Sequence, residues 1–373
     1  MNTIPLFKPS YGPEELEALK APFESGWIGL GPKTKEFEDA FKEYVKSEHA
    51  IGTSSATAAL HLGLSMFDIK DREVITTSMT FVSTNHAILY GQGIPVFADI
   101  EPDTLNIDVK EIEKLITPKT KAIVGVDYGG HPCDWDAINA LAKKHNLLVL
   151  DDAAHACGSR YKDLPVGSLA DITAFSFHAV KNLATGEGGM VTTNNPEWDK
   201  RIRSKRWMGI NKSTFDRDIV GQGYSWYYEV EELGWKYHMS DIAAVLGLVQ
   251  LKKLDEKNKR RREIAAIYKK EFQSLAWMEL PVEKPYAYSS THNFVVKVPS
   301  ESRDKFISYL KEKGISTGVH YIPNHLYKMY QPYSRKLPVT ETVWKKIVTL
   351  PLFPDLKAEE IEYIIEAIKN FPI

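Results

Sequence analysis

The stretch AFSFHAVKNLATGEGGMV, residues 174–191, places a single lysine, Lys181, after an apolar run and ahead of a glycine cluster. A free lysine, with a pKa near 10.4, is neutral in only about one molecule in 2,500 at pH 7 and is a poor nucleophile. Desolvation behind a buried strand lowers that pKa, and a neutral amine can condense with an aldehyde. Two other stretches carry groups suited to the same ligand. In LLVLDDAAHACG (147–158), Asp151 and Asp152 end an apolar run, and His155 follows closely enough to face the same ligand or to pack as a buried polar residue. A carboxylate there can neutralise a cationic ring nitrogen, coordinate a metal or cap the next turn, although the segment lacks a convincing set of companion metal ligands. In GTSSATAALHLGLSMF (52–67), small polar residues precede a helix that carries Leu60, Leu64 and Phe67 on one face. Ser54, Ser55, Ala56 and Thr57 then lie at its N-terminus, where free N–H groups and the helix dipole favour a phosphate; ordinary N-capping accounts for the same residues. An anion cradle, a carboxylate and a lysine are the three parts that pyridoxal 5′-phosphate requires.

These groups need elements to hold them. Six short runs, EVITTS, IPVFADI, KAIVGVDY, LLVLDD, ITAFSF and GMVTT, alternate with helical patterns such as DWDAINALAKKHN between about residues 50 and 195. Such runs predict strands buried on both faces and joined by crossover helices, hence an α/β domain with a mainly parallel sheet. Open sheets of this class bind ligands beyond the carboxyl ends of their strands, which is where the candidate residues fall. From residue 240, SDIAAVLGLVQLKKLDEKNKRRREIAAIYKKEFQSL predicts one long helix with Ser240 or Asp241 as its N-cap. HNFVVKVP, SRDKFISYLKEKG, ISTGVHYI and KAEEIEYIIEAIKN then predict strand, helix, strand and helix. The expected division is a large domain over 1–245 and a smaller α+β domain over 246–373, with the N-terminal segment free to pack on the smaller one. Without repeats, low-complexity segments or Gly/Ser linkers, the two should pack rigidly.

Composition narrows the partners. The 373 residues, 43% hydrophobic and 26% charged, are those of an ordinary globular protein. With 47 basic and 49 acidic residues, a net charge of −2 gives no electrostatic case for nucleic acid. The one dense basic run, KNKRRRE (257–263), falls in the long helical pattern and reads as a solvated face. Two cysteines, Cys133 and Cys157, cannot build a disulfide framework and lack zinc-ligand spacing. No apolar stretch reaches the roughly 18 residues of a membrane span, and MNTIPLFKPSYGPEE lacks the core of a signal peptide. The expectation is a cytoplasmic protein with no metal, no nucleic acid and no membrane partner.

Across nearly its whole length the chain resembles the DegT/DnrJ/StrS-type sugar aminotransferases. The likeness rests on SGWIGLGPKTKEFE, SSATAALHL, TSMTFVSTNHAI, PVFADI, VDYGGHPCDWDAI, DDAAHACGSRY, FSFHAVKNLATGEGGMV, LGWKYHMSDIAA, GVHYIP and LPLFPDL, in that order. The resemblance implies the aspartate aminotransferase fold (fold type I) and pyridoxal 5′-phosphate as cofactor. By position, Lys181 matches the Schiff-base lysine, Asp152 the aspartate on the pyridine nitrogen and Ser176 a phosphate-contacting serine. Ser55, Ala56 and Thr57 match the turn that holds the phosphate, and Phe81 the aromatic that stacks on the ring. His155 takes a place often held by glutamine, near the phenolic oxygen. Lys236 stands where many members have an asparagine that reaches the neighbouring subunit's phosphate, which implies a homodimer with shared sites. His320 and Tyr321, in GVHYIP, resemble a segment on the substrate side.

The implied reaction moves an amino group from L-glutamate to a nucleotide-linked keto sugar, with Lys181 as general base, for cell-surface polysaccharide or related amino-sugar synthesis. VDYGGHPCDWDAI and YEVEELGWKYHMSD look more like members that aminate carbon 4, such as the UDP-4-amino-4-deoxy-arabinose and other 4-amino-sugar enzymes, than those acting on carbon 3. One alternative is a pyridoxal-phosphate-dependent sugar dehydratase, which carries histidine at the lysine position. A second is a non-catalytic protein that keeps the scaffold as a regulatory or structural subunit. A nucleotide-sugar dehydrogenase would need a dinucleotide fingerprint, of which GLGPKTKEF supplies only G-x-G.

Overall fold

Residues 3–211 and 228–373 are described by the computed structural model, and the alternating apolar runs become the strands of one large sheet. In chain order these are β1 (His49–Thr53), β2 (Glu73–Thr77), β3 (Ile94–Ala98), β4 (Thr120–Val126) and β5 (Leu148–Asp152). Two short strands, β6 (Arg160–Tyr161) and β7 (Leu164–Pro165), precede β8 (Ile172–Ser176) and β9 (Gly189–Thr193). The seven-stranded sheet has the order β1-β9-β8-β5-β4-β2-β3. All of its strands run parallel except β9, which is antiparallel to both neighbours. The six predicted runs are β2, β3, β4, β5, β8 and β9. β1 was not among them: its sequence, HAIGT, has one large aliphatic residue and sits at the sheet's edge, so it carries little of the continuous apolar signal of a central strand.

Helices cover both faces, as a parallel sheet requires. On one side Leu60, Leu62, Leu64 and Ile88, from helices Ala56–Leu64 and Val82–Tyr90, pack on Val74, Val124, Leu150 and Ile172. On the other, Ile138 and Leu141 of helix Trp135–His145 meet Ile75, Ile123 and Val149, while Phe37 and Phe41 of helix Pro32–Val45 meet Phe175 and Phe177. Each fully buried aromatic contributes about 1.5–3 kcal/mol.

Helix Asp241–Phe272 serves two cores. Its N-terminal half places Ala243, Ala244 and Leu254 beside Phe37, and its C-terminal half places Ile264, Tyr268 and Phe272 in a second cluster with Phe294, Phe306 and Ile364. Ser240 is the N-cap, its hydroxyl accepting from the Ala243 N–H. Asp241 does something else. Its carboxylate accepts from the N–H groups of Gly31, Lys33 and Thr34 and from the Thr34 hydroxyl, capping helix Pro32–Val45 from a distant part of the chain. A Cβ at Gly31 would lie 2.7 Å from that carboxylate, so the G-x-G of GLGPKTKEF serves helix capping.

The second core is built on β11 (Phe294–Lys297) paired antiparallel with β12 (Ile347–Leu350), beside helices Arg303–Glu312 and Ala358–Lys369; a two-residue strand, β10 (Ala287–Tyr288), joins β6 and β7. Here the strand expected over ISTGVHYI is corrected. Residues 315–322 make only isolated bridges, Ile315 to Ile4 and Gly318 to Thr349, and the partner of β11 is the later IVTL. Gly318 sits where a Cβ would crowd His320 and Leu6, and the chain here carries His320 and Tyr321 to the cavity at the strand ends of the seven-stranded sheet. No helix among the described residues is long and apolar enough to cross a membrane, and no group of three acidic, His or Cys side chains among them could hold a metal.

Candidate active site

Four chain segments that follow sheet strands converge on one cavity of about 340 Å3. β5 delivers Asp152, β8 ends at Ser176 and leads to Lys181, and β1 leads into Ser55 and helix Ala56–Leu64. β2 leads to helix Val82–Tyr90, whose first turn brings Phe81, Ser83 and Thr84. Ser55 is the N-cap of its helix, accepting from the Ala58 N–H at 3.1 Å, so the first N–H groups of that helix are left for another acceptor. The two helix starts are tied together: the Thr57 and Ser83 hydroxyls are 2.7 Å apart. Gly189 permits the approach, because a Cβ there would lie 2.5 Å from the Ser55 carbonyl carbon.

Asp152 is buried, and burial raises its pKa above the ordinary carboxylate value. The Thr84 hydroxyl donates to it at 2.6 Å and the Ala154 N–H at 3.2 Å; both, with the Lys181 ammonium, pull in the opposite direction. Lys181 is the only Lys or Arg among the described lining residues, and burial pushes its pKa down to about 8 against the upward pull of Asp152. Of the four histidines that line the cavity with it, three feel its charge. His155 and His292 are held well below the usual histidine value and His320 at about 4, mainly by burial and next by Lys181's charge. These rings are therefore neutral at pH 7.

The proton on His155 can be assigned. Its Nδ1 accepts from the Gly129 N–H at 3.2 Å, so Nε2 carries the hydrogen and donates to the Tyr321 hydroxyl at 3.0 Å. Tyr321 in turn faces Phe81, ring centroids 6.0 Å apart, and Phe81 is exposed at the cavity rim. His320 is fixed by Thr349, 2.8 Å from Nδ1, and its carbonyl accepts from the Tyr128 hydroxyl.

Ser55, Ala56, Thr57, Phe81, Asp152, His155, Ser176, Lys181, His320 and Tyr321 thus line one cavity. Lys236 does not. Its ammonium lies 3.2 Å from the centroid of the Trp207 ring, outside that cavity; the sequence reading assigned it to a neighbouring subunit's site rather than to its own. The sequence reading missed Phe7, Thr84 and His292. Phe7 stacks on His292 at 5.4 Å, and both line the cavity. Thr84 lay in the quoted TSMTFVSTNHAI, and its spacing after Phe81 within a helix start was the only signal available.

The donor set fits pyridoxal phosphate: a depressed lysine, a buried carboxylate and a helix N-terminus open onto the same space. Residues 9–369 match the DegT/DnrJ/EryC1/StrS aminotransferase family. The chain belongs to that family. Among its relatives, the spore coat polysaccharide biosynthesis protein SpsC of Bacillus subtilis is 41% identical over 377 residues, covering 98% of this chain and 96% of SpsC. Spr1654 of Streptococcus pneumoniae, solved in a PLP-form, superposes with a TM-score of 0.91 at 32% identity over 99% of this chain and 100% of that one. Helicobacter pylori PseC, an aminotransferase involved in the biosynthesis of pseudoaminic acid, gives 0.92 at 31% identity over 99% and 98%. This aminotransferase accordingly has fold type I and uses pyridoxal phosphate.

Proposed function

We propose that the protein transfers an amino group from L-glutamate to a nucleotide-linked keto sugar, at carbon 4, for cell-surface polysaccharide or related amino-sugar synthesis, in a cytoplasmic homodimer whose sites are shared. The observation that carries the transaminase chemistry is the joint placement of Lys181 and Asp152 on one cavity beside the start of helix Ala56–Leu64. The sugar is supported by family membership and by relatives named for spore coat polysaccharide and pseudoaminic acid biosynthesis.

When bound, pyridoxal phosphate supplies an aldehyde carbon that carries the amino group and a ring that accepts the electron pair released there. The chain's groups do the rest. With a pKa of about 8, Lys181 is neutral in roughly one molecule in ten at pH 7, and its Nζ is the base for the donor's α-proton. Asp152, fixed by Thr84 and Ala154, would hold a proton on the ring nitrogen through a charge-assisted hydrogen bond. The N–H groups of Ala56 and Thr57, with the Ser55 and Ser176 hydroxyls, would hold the phosphate. Phe81 would cover one ring face. His155 stays neutral and keeps Tyr321 in place, with His320 beside it on the substrate side. Lys236 would reach the phosphate of the neighbouring subunit.

A dehydratase reading is disfavoured by the lysine at position 181, and a non-catalytic reading by the intact set Asp152, Ser176 and Lys181. The deciding experiment is incubation of the purified protein with L-glutamate and a UDP-linked 4-keto sugar. The reading expects amino sugar and 2-oxoglutarate in equal amounts; loss of a sugar hydroxyl without 2-oxoglutarate would rule it out.

A further inference from the structure

A second cavity, of about 210 Å3, lies at the turn that holds His155. Tyr128 and Gly129 line it, and the same Gly129 donates its N–H to His155 on the cofactor side. Leu105, Ala265, Val282, Phe294 and Val295 make its apolar surface. Its charged groups come from four segments. Arg262 and Lys269 lie two turns apart on helix Asp241–Phe272, Lys297 comes from β11, Asp103 from the loop after β3, and Glu283 from the segment before β10. Most are already matched. Arg262 holds Glu283 at 2.5 Å, Lys284 holds Asp103 at 2.5 Å, and Lys297 lies 3.6 Å from the exposed Glu279.

Two groups are not matched. Lys269 makes no side-chain hydrogen bond or ion pair among the described residues, although it is half-buried and burial depresses its pKa. Asn293, 6% exposed, has neither its side-chain oxygen nor its nitrogen paired. A desolvated cation whose nearby carboxylate, Glu283, is already bonded to Arg262, and a buried carboxamide without a partner, are each costly, and here they line one space. An apolar cavity of about 150 Å3 is enough for benzene.

We propose that this cavity binds a small organic anion with a compact apolar body, its carboxylate meeting Lys269 and its body lying against Ala265, Phe294 and Val295. Asn293 offers the second polar contact. Because Gly129 lines this cavity and its N–H holds His155, which lines the cofactor cavity, an occupant would press on the turn that orients His155.

The probe is benzoate, compared with benzamide, titrated calorimetrically into the pyridoxal-phosphate-loaded protein, with 4-bromobenzoate soaked into crystals to place the bromine by anomalous scattering. Benzoate is expected to bind at least about tenfold more tightly than benzamide, because only benzoate forms an ion pair with Lys269. Lys269→Met should weaken benzoate about tenfold, and Ala266→Trp, which fills the cavity from an exposed helix position without removing charge, should abolish binding. Both variants should keep the wild-type melting temperature, and bromine should appear inside the cavity against its apolar wall, at the end of the ring away from Lys269. Equal binding of benzamide, benzoate binding untouched by both variants, or bromine found only elsewhere would overturn the proposal.

Discussion

At the scale of single residues, the site is an electrostatic balance around Lys181. Burial lowers its pKa and the Asp152 carboxylate raises it, so removing that carboxylate must lower it further. The rate at which the cofactor-free protein captures pyridoxal phosphate should therefore climb with pH and level off above about 8, and in Asp152→Asn the inflection should move to lower pH. Stopped-flow absorbance across pH 6–10 measures both. The same depressed pKa costs folding stability wherever the folded lysine would be charged. That penalty is full below pH 8 and fades as pH rises toward the ordinary value near 10.5. His155 offers a second residue-scale test. Glutamine can accept from the Gly129 N–H and donate to Tyr321, so His155→Gln should keep most activity. His155→Leu strands the Gly129 N–H at a cost of about 1–3 kcal/mol and should lower both stability and turnover, read by urea unfolding and steady-state rates.

At the scale of elements, helix starts do the positioning, and long-range capping holds them. Asp241→Ala removes the acceptor for three N–H groups and one hydroxyl at the start of helix Pro32–Val45. It should cost about 2–4 kcal/mol in chemical unfolding, against about 1 kcal/mol for Ser240→Ala at the next-door local cap. Those caps also show what was legible in the sequence. Ser240 opening a long apolar-periodic stretch was readable because an N-cap is a local pattern. Asp241 capping a helix some two hundred residues earlier was not, since no local period records it. Six of the seven strands of the large sheet were readable from apolar runs, β3 at one edge included, whereas β1 at the other edge, with its single large aliphatic residue, and the β11–β12 pairing depend on neighbours supplied by the fold. The site follows the same rule. Lys181, Asp152 and Ser55 stand at strand ends or helix starts that the sequence marks. Phe7 and His292 lie 285 positions apart and meet only when the N-terminal segment packs beside the second core.

At the scale of the whole molecule, the two cores are joined by helix Asp241–Phe272 and the catalytic cavity lies where segments from both meet. Lys236 does not line its own chain's cavity and rests on Trp207, and the proposed reading has it serve the site of a second subunit. Subunit mixing tests this. If the protein is the proposed homodimer, Lys181→Ala and Lys236→Ala proteins should each be impaired, the first abolished. Heterodimers refolded from the two should recover activity, because one of their two sites would combine an intact Lys181 with an intact Lys236 from the other chain. Recovery near half of the wild-type rate supports sharing; no recovery places Lys236 outside the site or in its own.

The central claim is that the Lys181 amine attaches covalently to pyridoxal phosphate in the cavity it shares with Asp152. Borohydride reduction of the loaded protein, followed by peptide mapping, tests it most directly. Loss of the visible band and a single pyridoxyl mark, on Lys181 in the peptide spanning residues 174–191, are expected. A mark on another lysine, or a protein that stays colourless and unmarked after incubation with the cofactor, would contradict it.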